Sequence, residues 1–285
     1  MANKQSKNIA SQTLLLLLTI IFCHSFVACQ TKQQKATAAM QKCQQLLDKD
    51  EVLAASDCYG DAIVANPDHA TEISKTGEEA VFNKCVELRD RKNYKQAIIC
   101  LDATIALLPD SANVKFLLAD SYYQYNKVSD NGTNDLLDRA EEAIKQGLKL
   151  RPDDAAAHGL YGEILDAKKE YRQAAEQYRQ AIKLDSKTLE YWIMLAITQE
   201  KLGEDSEAIK SYNQVLQLDP KQTIALYHSG MIYERQGKTD EAIAAYEKLL
   251  QIKAEYDDAG QRLKLLKDKR IIEKQSKSES GLIGR

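Results

Sequence analysis

Ala155–Thr188 reads AAAHGLYGEILDAKKEYRQAAEQYRQAIKLDSKT, Leu189–Gln222 reads LEYWIMLAITQEKLGEDSEAIKSYNQVLQLDPKQ, and Thr223–Tyr256 reads TIALYHSGMIYERQGKTDEAIAAYEKLLQIKAEY. Stacked, these three lines of equal length align Gly162, Ala196 and Gly230, then Ala174, Ala208 and Ala242. A third column holds Tyr178, Tyr212 and Tyr246, and a fourth Leu184, Leu218 and Ile252. A fixed period of this length predicts a solenoid of helical hairpins, none of which can bury its apolar face alone. The small residues let two helices approach, and the tyrosines and aliphatics fill the space beside them.

The register extends upstream. The alanine of the second helix becomes Ala55, Ala97 and Ala140, the residue four later Tyr59, Leu101 and Ile144, and the small residue of the first helix Cys43, Cys85 and Ala119. All four prolines, Pro67, Pro109, Pro152 and Pro220, fall in the slot that ends a repeat; Ser186 and Ala254 fill it elsewhere. Proline stops a helix there because it has no N–H and its ring clashes with the preceding turn. The pattern resembles the tetratricopeptide repeat (TPR). The resemblance implies an all-α, right-handed superhelical α-solenoid of six hairpins, about 36–69, 78–111, 112–154, 155–188, 189–222 and 223–256. A capping helix is expected over 257–275, and a disordered tail over 276–285.

Two stretches lengthen the beat. Polar residues from Ala70 to Glu79 can extend the following helix by two turns. Asn126–Asp135, rich in Asn, Asp, Ser and Gly, reads as a long turn in the third hairpin.

Residues 1–28 are of another kind. Lys4 and Lys7 precede an apolar run from Thr13 to Val27, and Phe26-Val27-Ala28-Cys29 follows. This layout is that of an export signal. Its end resembles the lipobox of bacterial lipoproteins, with Phe26 where Leu is usual. The resemblance implies cleavage before Cys29, lipid attachment to Cys29, and a tether over 29–35. Gln30 after the cysteine implies the outer membrane, facing the periplasm. An uncleaved anchor and an ordinary signal cut elsewhere are the alternatives, the apolar length suiting a signal better than a full span. Loss of 1–28 removes two lysines and no acid, which takes the net charge from −3 to −5.

Cys43 and Cys58, like Cys85 and Cys100, are spaced alike, one in the small slot of a first helix and one beside the aromatic slot of a second. In an antiparallel hairpin these positions lie at similar height on facing helices, as a disulfide requires. The alternative is buried thiols acting as small apolar residues. The pairs Cys43–Cys58 and Cys85–Cys100 are expected on export to an oxidising compartment. The spacing is wrong for zinc, His69, His158 and His228 are scattered, and no metal or cofactor is expected.

Composition is that of a soluble helical protein, 44% hydrophobic and 28% charged, with no basic excess for nucleic acid. Gly230–Thr239 ends Gly-Lys-Thr, but its glycines stand further apart than those of a phosphate loop. No nucleophile, metalloprotease or acid–base motif is present, so neither an enzyme nor a small-molecule substrate is expected. The acid pairs Glu141/Glu142 and Asp153/Asp154 are expected at helix starts. In the TPR family partners bind the concave face lined by first helices. Carried over, that face holds Phe82, Val86, Phe116, Asp120, Gly159, Glu163, Ile193, Ile197, Tyr227 and Met231, with the isoleucines equally readable as core. The Lys and Asn with which relatives clamp chaperone carboxylates are absent. An amphipathic or extended protein segment is the expected partner. The functional expectation is a membrane-anchored adaptor, akin to pilotin-like assembly factors for secretins, pili or outer-membrane proteins. A cell-wall scaffold recruiting peptidoglycan enzymes and a cytosolic adaptor on an uncleaved anchor are the alternatives.

Overall fold

A computed structural model describes residues 32–129, 134–256 and 258–283. The signal at 1–28 and the lipid site Cys29 lie outside the described residues. Among those described, the structure is all α-helix apart from one 3₁₀ turn at Pro67–His69: α1 (32–48), α2 (Val52–Ala65), α3 (Ala70–Asp90), α4 (Tyr94–Leu107), α5 (Ala112–Val128), α6 (Asn134–Leu150), α7 (Ala155–Ala167), α8 (Tyr171–Leu184), α9 (Leu189–Lys201), α10 (Asp205–Leu218), α11 (Thr223–Arg235), α12 (Thr239–Ile252) and α13 (Ala259–Ile283). Successive helices pack as hairpins within two compact units, Met1–Val128 and Ser129–Arg285. The third repeat is divided between them, α5 closing the first unit and α6 opening the second.

One turn is used five times. After α1, α3, α7, α9 and α11 the chain takes a positive φ at Asp50 (62°), Lys92 (61°), Lys169 (65°), Gly203 (73°) and Gly237 (71°). The next N–H then reaches back five residues, as in Glu170 N to Leu165 O (2.9 Å) and Glu204 N to Gln199 O (2.9 Å). These bonds satisfy carbonyls that a helix end leaves open. Between hairpins, prolines and local side-chain bonds end the helices: Asp185 accepts from Lys187 N (3.0 Å) and Thr188 Oγ1 (2.6 Å), and Asp154 caps α7 by accepting from Ala157 N (2.9 Å).

The second unit has the interlock that the columns predict. Tyr178, Tyr212 and Tyr246 are fully buried. A Cβ on Gly162 would fall 2.5 Å from Tyr178 Cε1, and one on Gly230 2.7 Å from Tyr246 Cε1. These close approaches leave room for hydrogen alone at the two glycines. In the first unit the equivalent space holds sulfur: Cys43–Cys58 and Cys85–Cys100 are disulfides, with Cα atoms 5.4 and 5.5 Å apart.

Four expectations need correction. Residues 32–35 are the first turn of α1 and not part of a tether, since Lys32, Gln33, Gln34 and Lys35 favour helix and Lys32 and Gln33 reach Asp68 and Glu72. The long turn at Asn126–Asp135 is shorter, because α5 continues to Val128 and α6 begins at Asn134; residues 130–133 lie outside those described. Helix α13 runs to Ile283, so 276–283 are helical where a disordered tail is expected. Extending a formed helix adds one bond per residue without a new nucleus, and no proline intervenes. Finally, Glu141 does not sit at a helix start. It lies mid-way along α6, 9% exposed, where Lys145 and Lys168 compensate its charge.

Candidate partner-binding faces

In the first unit, Phe82 and Val86 on α3 and Phe116 and Asp120 on α5 are all half-buried. Asp120 is engaged within the unit, accepting from Arg89 Nη1 at 3.0 Å and Gln124 Nε2 at 3.2 Å. The long α3 packs its added turns on α2, with Gly77 against the ring of Tyr59. A cleft of about 350 Å³ lies between α1 and α3, lined by Gln44, Asp48, Thr76, Glu79, Asn83 and Glu87 among others. Lys84 at its edge is 8% exposed and bonded to Asp50 (2.5 Å) and Glu87 (3.1 Å). Those carboxylates outweigh its burial and raise its pKa.

In the second unit Gly159 is packed under Tyr191, its hypothetical Cβ 2.6 Å from Tyr191 Cε1. Glu163 is half-buried. Ile193, read as a groove residue, belongs to the core: it is 8% exposed, in a cluster with Tyr212, Val215 and Ile232, and is closed to a partner. Tyr227 also turns inward. Its hydroxyl donates to Asp258 Oδ1 at 2.7 Å and its ring packs on Tyr256 (centroids 5.3 Å). Both partners lie shortly before α13, which begins at Ala259. Ile197 and Met231 stay half-buried, packed on core clusters from one side. Beside them Met194 and Ile224 are 37% and 36% exposed.

A row of acids next to these aliphatics is absent from the sequence-based expectations. Asp166, Glu200 and Glu234 recur once per repeat, each one helical turn after Gly162, Ala196 and Gly230, so the period itself carries the signal. Each is held by a residue of the following repeat or of α13, and Glu200 and Glu234 also by the tyrosine of their own hairpin. Asp166 accepts from Lys201 Nζ (2.5 Å) and Thr198 Oγ1 (3.3 Å). Glu200 lies 2.7 Å from His228 Nδ1 and accepts from Tyr212 Oη at 2.6 Å. Glu234 accepts from Arg262 (3.0 Å) and Tyr246 Oη (3.2 Å). Burial would raise Glu200, but the bonds from His228 and Tyr212 outweigh it and hold its carboxyl below the usual range. Tyr212 and Tyr246 are pushed up, first by burial and then by the adjacent carboxylates. A similar knot joins Lys168 of the α7–α8 turn to Glu141 and to Asp138 (2.7 Å), with Tyr161 Oη donating to Glu141 at 3.2 Å. Burial opposes the charge on Lys168, yet its two carboxylates raise its pKa. These groups pair with one another and stitch repeat to repeat. They leave the adjoining surface apolar and internally neutralised, suited to contact by burial more than by charge. Among the described residues no cluster of three or more His, Cys, Asp or Glu is placed to hold a metal.

A tetratricopeptide repeat profile matches residues 132–187, 167–223 and 193–258. No curated protein matches the sequence. Among solved structures, the chain is similar to YrrB, described as a TPR protein with an unusual peptide-binding site. That similarity is 16% identity over 73% of this chain and 99% of YrrB, with TM-score 0.57. PilF of Pseudomonas aeruginosa matches at 16% identity, 73% and 89% coverage and TM-score 0.56. MamA matches at 21% identity, 59% and 93% coverage and TM-score 0.54. At these identities the likeness is one of fold. Residues 132–258 match the profile of the tetratricopeptide repeat, a repeat of protein-interaction scaffolds, and the chain has the all-α hairpin fold of tetratricopeptide repeat structures.

Proposed function

We propose that this protein is an interaction adaptor that holds an amphipathic or extended segment of a partner protein, and that a lipid on Cys29 tethers it to the periplasmic side of a bacterial outer membrane. The observation that carries the adaptor reading is the first-helix surface of the second unit. There Met194, Ile197, Ile224 and Met231 remain partly open while the charges beside them are paired internally. A partner's aliphatic side chains gain about 25 cal/mol for each Å² they bury on such a surface. Export is supported by the apolar run before Cys29 and by two cysteine pairs at bonding distance, which persist in oxidising compartments. The process served is the assembly of an envelope complex such as a secretin, a pilus or an outer-membrane protein.

The adaptor reading is tested by cross-linking in the native membrane. Ile197→Glu with Met231→Glu, at unchanged helical content by circular dichroism, is expected to abolish the cross-linked partner. Capture that survives in a folded double variant contradicts the groove. If the partner is a peptidoglycan enzyme, the cell-wall scaffold replaces the assembly factor.

A further inference from the structure

Helix α13 is 25 residues long, where α7, α9 and α11 have 13 each. One side holds it to the last hairpin: Ala259 and Leu266 are buried beside Tyr246 and Leu249, and Arg262, Lys267 and Arg270 reach Glu234, Glu247 and Asp240. Its other side is open and carries aliphatics among polar residues. Leu265, Ile271 and Ile272 are 69%, 53% and 65% exposed, more than any other large aliphatic among the described residues of the second unit. Leu265 and Ile272 are two helical turns apart and so lie on one line along the helix. Lys264, Lys269 and Lys274 are exposed on the same stretch, whose acids in sequence are Asp268 and Glu273. Ala259–Ile283 carries seven Lys/Arg against three Asp/Glu, while the chain as a whole is net −3.

We infer that this open face of α13 docks on an anionic phospholipid surface, its aliphatic side chains entering the headgroup boundary and its lysines reaching the phosphates. Aliphatic residues interleaved with lysines on a helix are the features that bind a helix flat to an acidic bilayer. Two other occupants fit less well. A second copy of α13 would set seven Lys/Arg against seven, with three Asp/Glu from each helix to offset them. A protein segment along the first helices is the nearer rival, since Leu265 stands one repeat period after Met231. On α9 and α11, however, Lys201 and Arg235 are bonded to Asp166 and Asp205, and no comparable row of exposed lysines accompanies the aliphatics. The row of exposed lysines beside open aliphatics is therefore a property of α13. The inference is independent of the lipid on Cys29.

Amide hydrogen exchange of the full chain, read on peptides covering 267–283, tests this with phosphatidylglycerol vesicles against phosphatidylcholine vesicles. Both lipids meet the N-terminal apolar run alike, so only α13 peptides report the difference. Exchange there is expected to slow about tenfold with the anionic vesicles and little with the neutral ones. Leu265→Ser with Ile272→Ser should remove the slowing without moving the thermal midpoint. Equal slowing in both lipids, none in either, or slowing that follows protein concentration without lipid each overturn the inference. The last result points to a second copy.

Discussion

Replacing Cys85 and Cys100 together by alanine should cost the first unit more than replacing Cys43 and Cys58, although both pairs close loops of the same sequence separation, 15. The chain-entropy term is therefore shared, about 3 kcal/mol for each bridge. The packing term differs. Cys85 and Cys100 are both fully buried, and Thr104 Oγ1 lies 3.4 Å from Cys85 Sγ. Of the other pair Cys43 is fully buried and Cys58 half-exposed. Each buried sulfur removed leaves a void worth about 1 kcal/mol. The totals are thus about 5 kcal/mol for the inner pair and about 4 kcal/mol for the outer pair. Against a domain stability of roughly 5–15 kcal/mol, the larger loss brings the first unit close to unfolding. Urea titration with hydrogen exchange, read on peptides of the first unit, measures both. The reasoning is refuted if either double variant keeps the parent midpoint, or if the outer pair proves the costlier.

Three further outcomes follow from the geometry. Lys169→Gly should stabilise the second unit by about 1 kcal/mol, since Lys169 holds a φ of 65° where Gly203 and Gly237 occupy the equivalent turns; a thermal midpoint that does not rise contradicts this. Glu200 has a lowered pKa, so its contribution is present above its unfolded value of about 4.3 and is lost as pH falls through the lower folded value. Glu200→Gln should flatten the acid limb of stability against pH while leaving its slope above about pH 6 unchanged, as read from urea midpoints across that range. Lys168→Met leaves Glu141 buried with Lys145 as its remaining cation, and should cost about 2 kcal/mol. Adding Glu141→Gln should recover part of that loss, and a purely additive double variant would count against coupling.

The repeats are legible because their chemistry recurs. A small residue facing a tyrosine once per repeat is a packing constraint, and packing constraints survive in the sequence as columns. The cysteine pairs are legible for the same reason, being two columns seen together. What the columns hide is which way a side chain turns once its neighbours arrive. Tyr227 stands in a groove column, yet Tyr256 at the end of its repeat and Asp258 just beyond it draw it inward. Ile193 follows the period but is closed over by its own hairpin. Glu141 reads as an exposed cap because the partner that buries it, Lys168, lies in the next repeat. The acid row at Asp166, Glu200 and Glu234 is present in the register and emerges when read beside the glycine column. The reach of α13 to Ile283 is a matter of helix propagation, which leaves no periodic mark in a polar tail.

The account turns on the chain being exported, lipidated and oxidised, and one intact-mass measurement on protein extracted from its native membrane without reductant addresses all three. The mass predicted is that of Cys29–Arg285 plus acyl groups, lowered by two hydrogens for each of the Cys43–Cys58 and Cys85–Cys100 bonds. A full-length mass with all six thiols free would contradict this and leave a reduced, cytosolic adaptor held by an uncleaved N-terminal anchor.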